Sequence, residues 1–422
     1  MDNKYFKIIW EKYHSPIFEK FMRELEAFTK TGKYPPHASE NVKYGLELQQ
    51  KRLKDKKLIM KCELSPGGSS ANDMAPKKRW RDDRYLSWME FCECELSRTI
   101  YRDNKKVYNN KQKSVLYQDI TDVHDVNAVG DDLYSCPNCG AVSKIAVLRS
   151  GCPFCGTFFE MDELYPKVTN YFFLRSTTGR SLKKYIYPCM PFWMIVLSVH
   201  YFISFDLNHG ATFRILYSII GGIIGGAALA AISGYLIWMV LELGTMFAEA
   251  GKSTPMLFHS AGSGMRFVSF MSRYSPEFSY QYFSDKVISL LKLIIFSENA
   301  DRLPYYEGEP LGDRFLNVIE SSYAGAVALK KYGVQGDYCY VTVDVYLDDL
   351  YDDGSRIKTK RDKIRMELRR NIRKPIDMNF SIEKIQCKNC GASFNAARMR
   401  NCPHCDTEYE IGDDDWIITK LC

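Results

Sequence analysis

At 422 residues the chain is long enough for two or three domains rather than one. A hydrophobic share of 46% is ordinary for a protein whose bulk is soluble, and a formal net charge of +6 is too mild to demand an acidic partner. The 14 cysteines argue against a secreted disulfide framework, because eight of them fall into four Cys-x-x-Cys pairs, the pattern of metal sites in a reducing compartment.

Residues 1–130 read as a mainly helical cytosolic region. Ile9, Trp10, Tyr13, Ile17, Phe21, Leu25 and Phe28 recur at three- and four-residue spacing, with charges between them. Pro35-Pro36 interrupts, and a second helical run leads from Ser39 into the basic cluster Lys51, Arg52, Lys54, Lys56, Lys57 and Lys61. Ser65-Pro66-Gly67-Gly68-Ser69-Ser70 predicts a flexible break, and residues 85–100 a shorter helix. Asp2 and Glu11 sit in a start without an apolar core or cleavage pattern, so neither a secretory signal nor an organellar presequence is expected.

The first metal candidate occupies residues 131–165, with Cys136 and Cys139 in one knuckle and Cys152 and Cys155 in the next. A short strand is expected over 168–174. Residues 185–206 and 214–243 then form two almost uncharged runs, each long enough for the roughly 30 Å core of a bilayer. His200 in the first span reads as a histidine packed between helices. The connection is short, so the spans predict an antiparallel hairpin. Arg180, Lys183, Lys184, Lys252, Arg266 and Arg273 lie on its outer flanks, against Arg214 alone at the loop. The positive-inside rule then predicts a multi-pass inner-membrane protein with both termini cytoplasmic. Gly221, Gly222, Gly225 and Gly226 offer a small-residue face, either for packing onto the first span or for homo-oligomers. Phe267, Phe270, Met271 and Tyr274 share one helical face, which reads equally as an interfacial helix or as a core helix of the next domain.

Residues 265–422 read as an α+β domain. Val287, Ile288, Leu291, Ile294 and Ile295 form a helical stripe, and a second helix is expected over 315–329, where Ala324, Gly325 and Ala326 permit close packing. From Cys339 the apolar period becomes two, Asp352-Asp353-Gly354 supplies a hairpin turn, and a return strand follows. Further strands are expected over 382–386 and 415–421. Between these two sits the second metal candidate, residues 385–410, with Cys387, Cys390, Cys402 and Cys405.

The run from Tyr280 to Leu347, with Ser297-Glu298-Asn299-Ala300-Asp301 and Gly336-Asp337-Tyr338-Cys339-Tyr340-Val341, resembles the domain of the mitochondrial inner-membrane translocase subunit forty-four, and Asp415-Trp416-Ile417-Ile418-Thr419 fits its last strand. With both cysteine modules and the hairpin, the chain is similar to a family of zinc-ribbon membrane proteins of Gram-positive anaerobes. The resemblance implies a cystatin-like or nuclear-transport-factor-like sheet wrapped on helices, with an apolar pocket for lipid or peptide. Import-motor tethering is not implied, because this chain carries its own hairpin and a ribbon set into the sheet.

Two residues between cysteines let one turn point both sulfurs inward, and four thiolates satisfy tetrahedral zinc. Gly140, Gly156 and Gly391 follow three of the knuckles, where left-handed backbone is wanted; Asp406 follows the fourth. Two structural zinc ions are therefore expected, with iron or a redox dithiol as rivals. His404 reads as a surface residue, and Cys62, Cys92, Cys94, Cys189, Cys339 and Cys422 as packing residues or free thiols. Four-thiolate closure leaves no open position for a catalytic water, and no nucleophile–base or phosphate-loop signature stands out. The expected role is a non-enzymatic membrane scaffold or tether that binds protein or lipid. The alternatives are a nucleic-acid-binding ribbon protein and a pocket enzyme, for which Asp344 and Tyr346 are the polar candidates and read as solvent-facing.

Overall fold

The computed structural model describes the chain except residues 1–5, 12–13, 67–74, 176–182, 205–210, 299, 301–302, 377–384, 397–398, 410 and 412–413. The hairpin loop and part of the strand expected over 382–386 thus lie outside the described residues. Two compact units are present: one joins Met1–Ser176 to His259–Cys422, and the other is Thr177–Phe258.

The first unit begins with β1 (Phe6–Glu11), α1 (Pro16–Thr31) and α2 (Glu40–Asp55). Pro16 stands at the first helical position of α1, where its missing N–H costs nothing, and Gly32 ends the helix in a left-handed conformation with its N–H on Phe28 O. Ile17, Phe21, Leu25 and Phe28 are buried on one face. Next come β2 (Leu58–Pro66), β3 (Ala75–Arg81), β4 (Tyr85–Arg102) and β5 (Lys105–Val123). A cysteine module follows, made of β6 (Leu133–Ser135), β7 (Val142–Lys144) and α3 (Ile145–Ser150). The short α4 (Met161–Leu164) leads into β8 (Lys167–Arg175). The sheet runs β1-β3-β4-β5-β8, with β2 also paired to β4.

In the second unit, α5 (Lys183–Ser204) pairs with α6 (Ala211–Met271), whose end from His259 belongs to the first unit. Ser218, Gly222, Gly226, Ala230 and Gly234 recur every four residues and are all buried. A Cβ on Gly226 would sit 2.6 Å from the Met194 backbone, and one on Gly234 2.7 Å from Ile186 Cα. The glycine face is therefore filled by α5, backbone against backbone.

The C-terminal part of the first unit continues with α7 (Tyr280–Phe296), β9 (Val318–Gln335), β10 (Tyr338–Asp352) and β11 (Ile357–Asn371). A second cysteine module holds β12 (Ile385–Gln386) and β13 (Ser393–Phe394), and β14 (Ile417–Leu421) closes the sheet in the order β14-β11-β10-β9. Phe267 and Met271 at the end of α6 are fully buried against Phe278, Phe283 and Tyr332, so this segment is a core helix.

Four expectations of secondary structure need correction, and His200, expected to be packed between the helices, is exposed on α5. Residues 1–130 are not mainly helical, since Ile9 and Trp10 lie in strand β1 and the chain from α2 to Val123 forms strands β2 to β5. Residues 85–100 are strand β4, in which Cys94, Leu96, Arg98 and Ile100 are buried at period two. The helix expected from 315 is strand β9. Ala324, Gly325 and Ala326 form a bulge there, because Val327 pairs with Val345 and Tyr323 with Leu347, and Gly325 takes a φ of +95°. Ile385 and Gln386 pair inside the cysteine module rather than in the main sheet.

The two parts of the first unit are built alike. β2 and β3 pair with the far and near halves of β4, as the single long β9 pairs with β10. β4–β5–module–β8 then matches β10–β11–module–β14, about 250 residues later. A small detail recurs too. Val168 of β8 takes an N–H bond from Ser39 and gives one to His37 O, while Ile418 of β14 takes one from Glu307 and gives one to Tyr305 O. The equivalent of α7 is therefore α1, and α2 is extra.

That extra helix lies against α7. Arg52 donates to the carbonyls of Ile295, Phe315, Val318 and Ser297, at 2.7, 2.6, 3.3 and 3.2 Å. Arg98 pairs with Glu320 at 2.8 Å, Arg102 with Asp352 at 2.5 Å, and Lys51 with Glu298 at 2.9 Å. Part of the basic cluster that suggests nucleic acid is thus spent on this seam. Lys292 donates the other way, to Tyr171 O at 2.9 Å.

Asp349 on β10 is fully buried, and burial pushes its carboxyl up to about 7. A raised folded-state value means the native state resists ionising it, so this group costs stability progressively from about pH 4 to pH 7. Urea unfolding of the detergent-solubilised chain should show stability falling between pH 4 and 7, by about 4 kcal/mol from this group. Asp349→Asn should flatten that fall; an unchanged pH profile would exclude Asp349 as its source.

Candidate metal centres

Each module places two turns so that four sulfurs converge. In the first, Cys136, Cys139, Cys152 and Cys155 have all Sγ atoms within 4.8 Å of one another, and the same holds for Cys387, Cys390, Cys402 and Cys405 in the second. The Cys136–Cys155 and Cys139–Cys152 sulfurs are each 3.7 Å apart; Cys387–Cys405 and Cys390–Cys402 are 3.5 and 3.7 Å apart. A tetrahedral ion with metal–sulfur bonds near 2.3 Å has sulfur–sulfur edges of about 3.8 Å. Both clusters fit such an ion.

The backbone explains why the sulfurs converge. Gly140, Gly156, Gly391 and Asp406 take φ of +77°, +74°, +71° and +56°, and each donates its N–H to the carbonyl of the knuckle's first cysteine at 2.8–2.9 Å. A Cβ at the three glycines would meet nothing within 4 Å, so the demand there is for left-handed φ and not for space. Asp406 meets it with help from Asn401, whose amide donates to Asp406 Oδ1 at 3.0 Å.

A brace ties the knuckles together identically in the two modules. Asn138 Nδ2 donates to Thr157 Oγ1 at 3.0 Å, and Asn389 Nδ2 to Thr407 Oγ1 at 3.2 Å. The threonine hydroxyls lie 3.5 Å from Cys155 Sγ and 3.1 Å from Cys405 Sγ. Together with the threonine N–H groups they hold both thiols below their usual range, which favours the thiolate a metal needs. One cysteine of each knuckle is buried in the core: Cys136 and Cys152 in the first module, Cys387 and Cys402 in the second. Their partners lie nearer solvent. His404 is exposed and outside the second cluster. Among the remaining cysteines, Cys94 and Cys339 are buried, as packing residues should be.

Asp344 is not solvent-facing. It is 1% exposed, clasped by Arg365 at 2.7 and 3.1 Å and flanked by Lys363 at 3.6 Å and Lys330 at 3.7 Å. Burial opposes its ionisation, but the Arg365 hydrogen bonds and the surrounding cations outweigh it and keep the carboxyl below the usual range. It is a fixed anion, unsuited to proton transfer. Tyr346, on the same strand, is half-buried.

Sequence reading missed two hollows. One, of about 410 Å³, has Gly140, Ala141 and Val142 of the first module on one side, Ser393 and Phe394 of the second on the other, and Glu40, Tyr44 and Glu47 of α2 along it. The second, of about 100 Å³, lies at the seam, lined by apolar residues of α1, α2 and α7 together with Asn170, Lys292 and Glu320. Burial lowers the Lys292 amine to about 8. Neither hollow has a sequence signature, because each joins residues from both parts of the chain.

Metal analysis of the purified chain should find two ions per chain. Cys402→Ala should leave one, and should speed hydrogen exchange in β14 while β8 stays protected. Retention of both ions would remove Cys402 from the ligand set.

No protein family, no curated protein and no solved structure matches this chain.

Proposed function

We propose that the protein is a membrane-anchored zinc protein whose first unit serves as a scaffold or tether for protein or lipid. The observation that carries this reading is the pair of four-cysteine clusters, each set between the last two strands of a sheet, in a chain that also holds a membrane-length helix pair. Zinc is the ion assigned, because four thiolates in a tetrahedron suit it and leave no coordination position open for chemistry. Its task is then to hold β8 and β14 in their sheets.

Membrane anchoring rests on α5 and α6. They carry stretches of 20 and 30 residues long and apolar enough to cross a bilayer. Phe192, Ile195, Ile203, Ile224 and Val240 on these helices point outward and are 60–71% exposed, which suits lipid and not water. With the positive flanks described above, both termini lie on the cytoplasmic side of the inner membrane. Four-thiolate closure at both clusters, with no position left for a catalytic water, favours a scaffold over an enzyme as the role of the soluble part.

Membranes extracted with alkaline carbonate should retain the chain, and tags at both ends should be cleaved by protease in inverted vesicles only. Release by carbonate would overturn the anchor, and cleavage in right-side-out vesicles would overturn the topology. Crosslinking in native membranes should recover proteins or lipids. Recovery dominated by nucleic acid or ribosomes would overturn the scaffold reading.

A further inference from the structure

The likeness of the two modules turns one into a control for the other. Aligning Cys152 with Cys402 sets Phe154 opposite His404 and Phe158 opposite Glu408. The sulfur positions, left-handed turns and Asn–Thr brace are the same in both, so these side chains are not needed to build a module. Yet in the first module Phe154 is 70% and Phe158 63% exposed, with exposed Val147 on α3 of the same module. Among the described residues the second module exposes only Met399 as a large apolar side chain.

Leaving a phenylalanine in water forgoes the stabilisation that its burial would give. These two are also held at fixed places. Phe154 stands in the turn between Cys152 and Cys155, and Phe158 follows two residues after the left-handed Gly156. The module thus presents an edge of exposed apolar side chains on backbone that the knuckle turn fixes.

We propose that this edge of the first module inserts into the interfacial layer of the bilayer that holds the α5–α6 pair, an assignment that rests on the membrane anchoring proposed above. Two phenyl rings bury about 150–250 Å² each, well short of the roughly 800 Å² per partner of a stable protein interface. Shallow insertion of so small a group is marginal by itself and becomes effective when a second anchor already holds the protein at the surface. The helix pair supplies that anchor, and α5 is the first helix after β8, the strand that follows this module. The nearby charges lean acidic: Lys144 is paired with Asp131 at 2.7 Å, and exposed Arg149 is set against exposed Glu160, Asp162 and Glu163. Insertion therefore relies on the rings and not on an anionic headgroup.

The test uses the full chain in phosphatidylcholine nanodiscs whose acyl chains are brominated. An environment-sensitive fluorescent amino acid replaces Phe154, His404 or, as a positive control, Ile195 in α5, each in a separate protein. Quenching at position 154 should exceed that at 404 by roughly threefold, and Phe158→Asp in the position-154 protein should reduce it toward the 404 level. Equal quenching at 154 and 404, with Ile195 strongly quenched, would overturn the insertion while leaving the anchor intact. Absence of quenching at position 195 would overturn the anchor and the insertion with it. Protection of position 154 by a co-purifying protein in native membranes, with no bromine effect, would overturn the lipid assignment.

Discussion

The first unit depends on a seam of buried cations. Its two parts are separated in sequence by the whole of the second unit, so no short connection holds them together. Arg52 reaches from α2 to carbonyls at the C-terminal end of α7, groups that a helix leaves without partners and that carry its negative dipole end. Arg98 meets Glu320 in the interior a short way off. Removing one member of such a pair costs about 3–5 kcal/mol, because the other stays buried and uncompensated. Around these charges one hydrophobic core runs through both parts, from Tyr85 and Phe172 to Phe283 and Trp416.

The metal sites were the most legible feature, and for a chemical reason. A Cys-x-x-Cys turn with left-handed backbone after it is a local arrangement, so the convergence of eight cysteines into two clusters and the odd position of Asp406 could be read from spacing alone. The helix pair was legible on similar grounds, since length and apolarity suffice. The errors lie where tertiary pairing decides. In residues 85–100 and 315–329 the apolar residues satisfy a helical count, but cross-strand partners far away in sequence impose period two. The Ala324-Gly325-Ala326 run was read as a close helix contact and is a bulge. Asp344 looked exposed because its strand alternates, whereas Arg365 on the neighbouring strand covers it.

The internal likeness was missed for a different reason. Beyond the modules themselves, with Cys-x-Asn-Cys-Gly-Ala and a later Cys-Pro-x-Cys-x-Thr in both, little sequence is shared. β9 is continuous where β2 and β3 are two strands, and α2 has no equivalent. Only the ladders and the paired bridges at Val168 and Ile418 show that the same plan is used twice. The second use carries His404 and Glu408 on a metal scaffold whose first use carries phenylalanines. Shared parts are set by folding, and the parts that differ are free to be set by what each surface meets.

Placing a metal module before the last strand also has a kinetic side. More than forty residues separate β5 from β8, and as many separate β11 from β14, so each closing strand must find its edge across a long loop. An ion held at each cluster would shorten that search by cross-linking about twenty residues of the loop in a single step. During synthesis β8 precedes α5 by only seven residues, so the closing strand of the first sheet and the apolar helices emerge almost together. If the clusters take the metal proposed for them, its supply sets whether β8 has already paired when α5 and α6 emerge.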